Sequence, residues 1–228
     1  MSDWEEIYDG IYCIGGPNIS QAEDATVFLV DCADELIMID SGAGRSAERL
    51  EHTVHALGFD PHTISTLILT HCHIDHIGGA PYFTARFGCR LIAHELDAAA
   101  IEAGDPVETA ARMYGIAFPP IPVDRRIKGE EEIIAFGNQD IRFIHTPGHT
   151  PGSLAVVIDR KGKRILFGQD IHGPFLKAFR SSIDDWKQSM EKLLALDADI
   201  LCEGHVGIFS SKEKVRKYIQ GYVKQYYR

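Results

Sequence analysis

The sequence predicts an α+β fold: one domain built as two β-rich halves. Three observations carry that reading. Apolar runs alternate with amphipathic stretches of helical spacing, the pattern of packed sheet and helix layers. A β-rich texture occurs in the first half and returns after residue 130. The 228 residues contain no low-complexity linker and no direct repeat, so 1–228 reads as a single domain with a sizeable core.

Residues 26–30 and 36–39 read as strands, with the polar 31–35 segment as their turn. The turn Asp40-Ser41-Gly42-Ala43-Gly44 leads into a helix with Leu50, Val54 and Leu57 on one face, stopped by Gly58. A short buried strand at 67–69 runs into the histidine-rich loop 70–79. Helices at 81–87 and 95–103 flank a strand at 90–93.

Segment 104–124 combines Pro106, Pro119, Pro120 and Pro122 with Met113, Tyr114 and Phe118. It reads either as a cover or partner contact, or as an ordinary connection packed on the surface. Strands follow at 132–136, 141–144, 153–158 and 164–167. Then comes a helix whose Ile183, Trp186, Met190, Leu193 and Leu194 share a face, and a strand at 200–202. Ser210 and Glu213 fit a capping box for a last helix striped by Val215, Ile219 and Tyr222.

Composition narrows the function. Hydrophobic residues make up 45% and charged residues 25%, as in ordinary globular proteins. No run approaches the roughly 20 apolar residues of a membrane-spanning helix. The start, Met1-Ser2-Asp3-Trp4-Glu5-Glu6, lacks the basic and apolar regions of a signal peptide, which points to the cytoplasm. The net charge of −10 offers no global attraction to nucleic acid or anionic lipid. A small-molecule substrate is the expected partner, without nucleic acid or membrane, and a homo-oligomer is open. The five cysteines (Cys13, Cys32, Cys72, Cys89, Cys202) are scattered without a CxxC pair and read as buried free thiols.

The histidines carry the chemistry. His71-Cys72-His73-Ile74-Asp75-His76 crowds four imidazole or carboxylate groups just after a buried strand. A divalent metal needs deprotonated N and O ligands converging at about 2.0–2.2 Å. The spacing of His71 and His73 lets both rings reach one ion; Asp75 and His76 can face a second. Asp75 also fits an outer or proton-transfer role. Gly78-Gly79 allow a sharp turn after the loop. His149 lies in a Pro/Gly-rich turn, and Asp170 and His205 each lie just beyond a strand end. All could meet at one edge of a sandwich, a set suited to two zinc-like sites bridged by a carboxylate.

With these residues in this order, the chain resembles the metallo-β-lactamase-fold hydrolases, in the HxHxDH branch. The resemblance runs from Asp40-Ser41-Gly42 to His205. It implies an αββα sandwich of two mixed β-sheets with outer helices and the metals at one edge. It implies one metal on His71, His73 and His149, a second on Asp75, His76 and His205, and Asp170 bridging them. The ions would be zinc, with iron or manganese as alternatives. Asp40 would orient a ligand histidine; the competing reading is a helix N-cap. His52, His55, His62 and His94 read as structural, while His145 and His172 lie near enough to reach substrate.

Asp170 and His76 separate the chain from true metallo-β-lactamases, which commonly carry Cys or Ser and often Arg at those positions. His73 separates it from the HxExDH flavodiiron pattern, and no basic surface or extra domain suggests a nuclease. What remains resembles glyoxalase II and other thioester hydrolases, lactonases and persulfide dioxygenases. The leading expectation is a dinuclear hydrolase in which a metal-bridging hydroxide attacks a thioester or lactone carbonyl, with Asp75 and Asp170 as the catalytic carboxylates. The alternative is a mononuclear iron sulfur oxidase similar to the persulfide dioxygenases. Cys72 should point away from the metals. From residue 211 onward six basic side chains face one acidic one, so the last helix reads either as an anion reader, as in glyoxalase II, or as a solvated face docked on the sandwich.

Overall fold

A computed structural model describes residues 4–226. The chain forms two mixed sheets. The first contains β1 (Glu5–Tyr8), β2 (Ile11–Gly15), β3 (Val27–Asp31), β4 (Leu36–Ile39), β5 (Ile64–Ile68), β6 (Arg90–His94) and β7 (Arg125–Ile127), adjacent in that order. Its strands pair antiparallel up to β4 and parallel from β4 to β7. The second holds β8 (Glu131–Phe136), β9 (Gln139–His145), β10 (Leu154–Arg160), β11 (Lys163–Phe167), β12 (Ile200–Cys202) and β13 (Ile208–Phe209). There only β11 and β12 run parallel.

Side-chain alternation along the strands builds three apolar layers. Phe28, Val30, Ile37 and Ile39 point between the sheets with Phe143, Val156, Ile158 and Phe167. Their neighbours Val27, Leu29, Leu36 and Met38 face the opposite way. They pack on Leu50 and Val54 of α1 (Ala47–Ala56), Phe83 of α3 (Ala80–Phe87) and Ile101 of α4 (Glu95–Ala103). On the far side, Ala155, Val157 and Leu166 pack on Trp186, Met190 and Leu193 of α6 (Ile183–Ala195) and on Val215 and Ile219 of α7 (Lys212–Tyr226). The result is the expected αββα sandwich. Among the described residues, no helix is long and apolar enough to cross a membrane. The five cysteines are free and buried.

Several expectations need correction. β1 and β2 precede the first predicted strand; their turn, Asp9-Gly10, has φ of 40° and 77°, the two positive values a tight hairpin demands. β7 and β13 are too short to announce themselves. The last helix is capped by Ser211, whose Oγ accepts from Lys214 N at 3.2 Å, and not by Ser210. Ile183 is 39% exposed and stands off the buried face of α6. Gly78 and Gly79 keep ordinary helical backbone angles. They are small because a Cβ at either would overlap the backbone of the turn at Ser41 and Ala43.

Candidate metal centre

The predicted donors arrive from five places at one edge of the sandwich. His71 and His73 follow β5, and Asp75 and His76 lie on the single-turn α2 (Ile74–Ile77). His149 sits in the turn between β9 and β10, Asp170 just after β11, and His205 just after β12. Folding brings all seven together, in two adjoining groups. Ligand atoms of His71, His73, His149 and Asp170 lie within 4.8 Å of one another, as do those of Asp75, His76 and His205.

Asp170 joins the groups, one oxygen to each. Its Oδ2 is 3.2 Å from His149 Nε2 and 3.8 Å from His71 Nε2. Its Oδ1 is 3.2 Å from His76 Nε2 and 3.3 Å from His205 Nε2. His205 Nε2 also stands 3.4 Å from Asp75 Oδ2. Gly204 permits this approach, because a Cβ there would collide with Asp170 Oδ1.

The donor atoms suit a cation. His149 Nδ1 donates to the Pro174 carbonyl at 2.9 Å, which leaves the Nε2 lone pair turned inward. His76 Nδ1 donates to Asp40 Oδ2 at 2.7 Å, with the same effect. His76 Nε2 and Asp170 Oδ1 are buried without a hydrogen-bond partner, a costly arrangement that an ion between them would relieve. Burial, and then the neighbouring His76, push His71 well below the usual histidine range; burial and His149 do the same to His73. Both rings are thereby kept neutral, the state a metal requires. Burial acts the same way on His76, but Asp170, Asp40 and Asp75 outweigh it and hold that ring well above its usual range. Burial works against the Asp170 carboxylate, yet His76 and His149 overcome it and keep it well below its usual range. Positive charge is thus favoured at His76, between three carboxylates, and disfavoured at His71 and His73.

Three buried carboxylates hold the donors in place. Asp40 accepts from His76 and from Thr70 N and Oγ1 at 2.9 and 2.8 Å. Asp40 thus bears on a ligand-type ring, as its orienting reading requires, and the helix that follows is capped at Ser46. Asp97 of α4 accepts from Cys72 N at 2.9 Å, Thr150 Oγ1 at 2.7 Å and Gly152 N at 2.7 Å. It ties the loop of His71 and His73 to the turn of His149. Glu203 accepts from His205 N and Val206 N at 2.8 and 2.9 Å, and from His172 Nδ1 at 2.9 Å.

The sequence reading assigned no role to Asp97 or Gln169. The signal for Asp97 was a carboxylate four residues before Ile101, on the buried face of an alanine-rich helix. Gln169 donates to Asp40 Oδ2 at 2.6 Å. Tyr114, from α5 (Ala111–Tyr114) in segment 104–124, donates its hydroxyl to Asp75 Oδ2 at 3.0 Å, so that segment reaches the site. Cys72 Sγ points to the Glu108 carbonyl, and burial and Asp97 push its thiol well above the usual range. His172 lies beside His205, ring centroids 5.3 Å apart, whereas His145 is stacked on His94 at 3.9 Å and donates to Pro151 O. On α7, Lys212 and Arg216 pair with Asp197 at 2.7 and 3.0 Å, and Arg228 of the basic tail lies outside the described residues.

An αββα sandwich with histidine and aspartate donors gathered at one edge defines the class. The family model of the metallo-beta-lactamase superfamily matches residues 22–205, and the chain belongs to that superfamily and to its hydrolase enzymes. It is 24% identical over 207 residues to the atrochrysone carboxyl ACP thioesterase of Aspergillus fumigatus, covering 90% of this chain but only 58% of that enzyme's length. It is 26% identical over 234 residues to the acyl-coenzyme A thioesterase MBLAC2 of Gallus gallus, covering 91% of this chain and 81% of that one. A solved metallo-beta-lactamase of Cronobacter sakazakii shares the fold with a TM-score of 0.84 at 22% identity, covering 98% of this chain and 92% of that one.

Proposed function

We propose that the chain, as one domain, is a dinuclear metal-dependent thioester hydrolase. The observation that carries the proposal is Asp170, whose two oxygens face two separate donor groups. His71, His73 and His149 would hold one ion and Asp75, His76 and His205 the other, with Asp170 between them. Zinc is the assigned metal, since a mixed imidazole and carboxylate set suits it; iron and manganese fit the same donors. When bound, such a pair of cations supplies Lewis acidity and a water acidified towards pKa ~7.

The chain's own residues do the rest. Asp40 and the Pro174 carbonyl fix the tautomers of His76 and His149. Asp75 Oδ2 faces the same space as His205, placed to take up the proton that the attacking water gives off, while Asp170 beside it keeps its negative charge. Cys72, buried and turned aside, supplies no nucleophile. A thioester suits this machinery, because a thiol of ordinary pKa about 8.5 leaves as thiolate with little help. The hydroxyls at the site are already committed, Tyr114 to Asp75 and Thr70 to Asp40. Both thioesterase relatives align over at least 90% of this chain, which favours the same substrate class.

Elemental analysis of protein grown with zinc and iron, followed by a panel of thioesters, lactones, phosphoesters and β-lactams, tests the reading. Two zinc-type ions per chain and preferential thioester cleavage are expected. One iron per chain after replenishment, with oxidation of a persulfide, would replace it with the sulfur-oxidase alternative.

A further inference from the structure

Beside the metal centre lies a second feature that the hydrolytic reading does not use. A groove of about 610 Å³ opens between the 15–19 turn and the chain leaving β12. Its floor is the exposed rim of the inter-sheet core, with Cys13 buried and Ile19 and Ile208 half-buried against that core. Trp4, Pro17 and Val206 line it as well, and Val206 is 53% exposed. His205 lines the groove and also belongs to the second donor group. Through His205 this groove, part apolar and part polar with Asn18, Thr26 and Ser210, adjoins the candidate metal centre.

Charge identifies what the groove takes. Among its described lining residues there is no lysine or arginine, and Glu5 is its one carboxylate. Such a lining offers no cationic side chain to the carboxylates of a glutathione group or the phosphates of a coenzyme. It offers apolar surface, whose burial is worth more with each methylene added.

We propose that this groove seats the acyl chain of the substrate, and that the enzyme prefers octanoyl over short-chain acyl thioesters. The inference rests on the thioester reading above and names its substrate class. A carbonyl placed beside His205 directs an acyl chain along Val206 and Ile208, while the thiol carrier extends away from the groove.

The test uses the full-length, metal-loaded chain with acetyl-, butyryl- and octanoyl-coenzyme A. It also measures binding of the uncleavable S-ethyl and S-octyl coenzyme A thioethers by the fluorescence of Trp4. A half-open groove should give about a two-fold gain in kcat/KM and in affinity per methylene, roughly half of what full burial yields. In Val206→Asp the octanoyl-to-acetyl ratio should collapse towards one. Equal kcat/KM and equal ether binding across chain lengths would overturn the groove assignment while leaving a thioesterase in place. Tight S-octyl binding without cleavage of any thioester would support the groove and overturn the thioesterase reading. A chain-length preference that Val206→Asp leaves intact would place the acyl chain elsewhere.

Discussion

His71, His73 and His149 on one side of Asp170, and Asp75, His76 and His205 on the other, share a carboxylate but are housed differently. The first three are all buried, and the Phe179 ring covers His73 at 4.2 Å. Their loops are clamped through the backbone by Asp97. In the second group Asp40 grips the His76 ring itself, Tyr114 touches Asp75, and the His205 side chain is 26% exposed beside the groove. The first group is built as a closed seat. The second reaches solvent at His205 and has its ligands held individually, as suits an ion that meets substrate.

The comparison can be broken where the two groups join. Asp170→Ala should weaken both ions and lower kcat by about 10²-fold or more, as expected for a preorganised electrostatic element. A kcat within a few-fold of wild type at full metal content would show that the groups do not depend on Asp170. Asp40→Asn should act most on the second group, whose His76 it holds directly, since it reaches the first only through Thr70. Losing the partner of a ligand histidine costs about 10- to 100-fold in metal affinity or activity. Chelator titration should then release one ion per chain early while the other stays; joint release would erase the distinction.

Asp97→Asn should show the opposite profile. An amide NH2 would face the N–H donors of Cys72 or Gly152, so the clamp fails before the donors do. Charge-assisted hydrogen bonds predict a loss of about 3 kcal/mol, or roughly 10 °C in Tm, read by calorimetry of the metal-free protein. An unchanged Tm would mean that the loops stand without Asp97. Tyr114→Phe is the smallest change, removing one hydrogen bond to Asp75, with an expected fall of about 3-fold in second-ion affinity. Isothermal titration would detect it, and an effect on the first ion instead would misplace Tyr114.

What could be read without the fold follows from local rules. The β3 and β4 strands declared themselves because their apolar runs, 27–30 and 36–39, are bounded by polar residues. Seven donor-type residues stood at strand ends in a recognisable order, and all seven meet. Asp97 escaped notice because its three partners, at 72, 150 and 152, are distant in sequence from one another or from it. Tyr114 was visible only as one apolar residue in a proline-broken segment, since nothing local says which way a hydroxyl turns.

The sequence by itself determined the alternation of layers, the buried thiols and the identity and order of the donors, because periodicity and residue chemistry are local properties. Only the tertiary structure decided that Asp170 divides its oxygens between two groups, since that depends on where β11 ends relative to α2, β12 and the turn of His149. It alone decided that Gly78 and Gly79 serve close approach, because the Ser41–Ala43 backbone they admit lies more than thirty residues earlier. The groove beside His205 belongs to the same class. It is lined by residues near 4, 13–19 and 205–208, and such a surface exists only once the sheets have closed on each other.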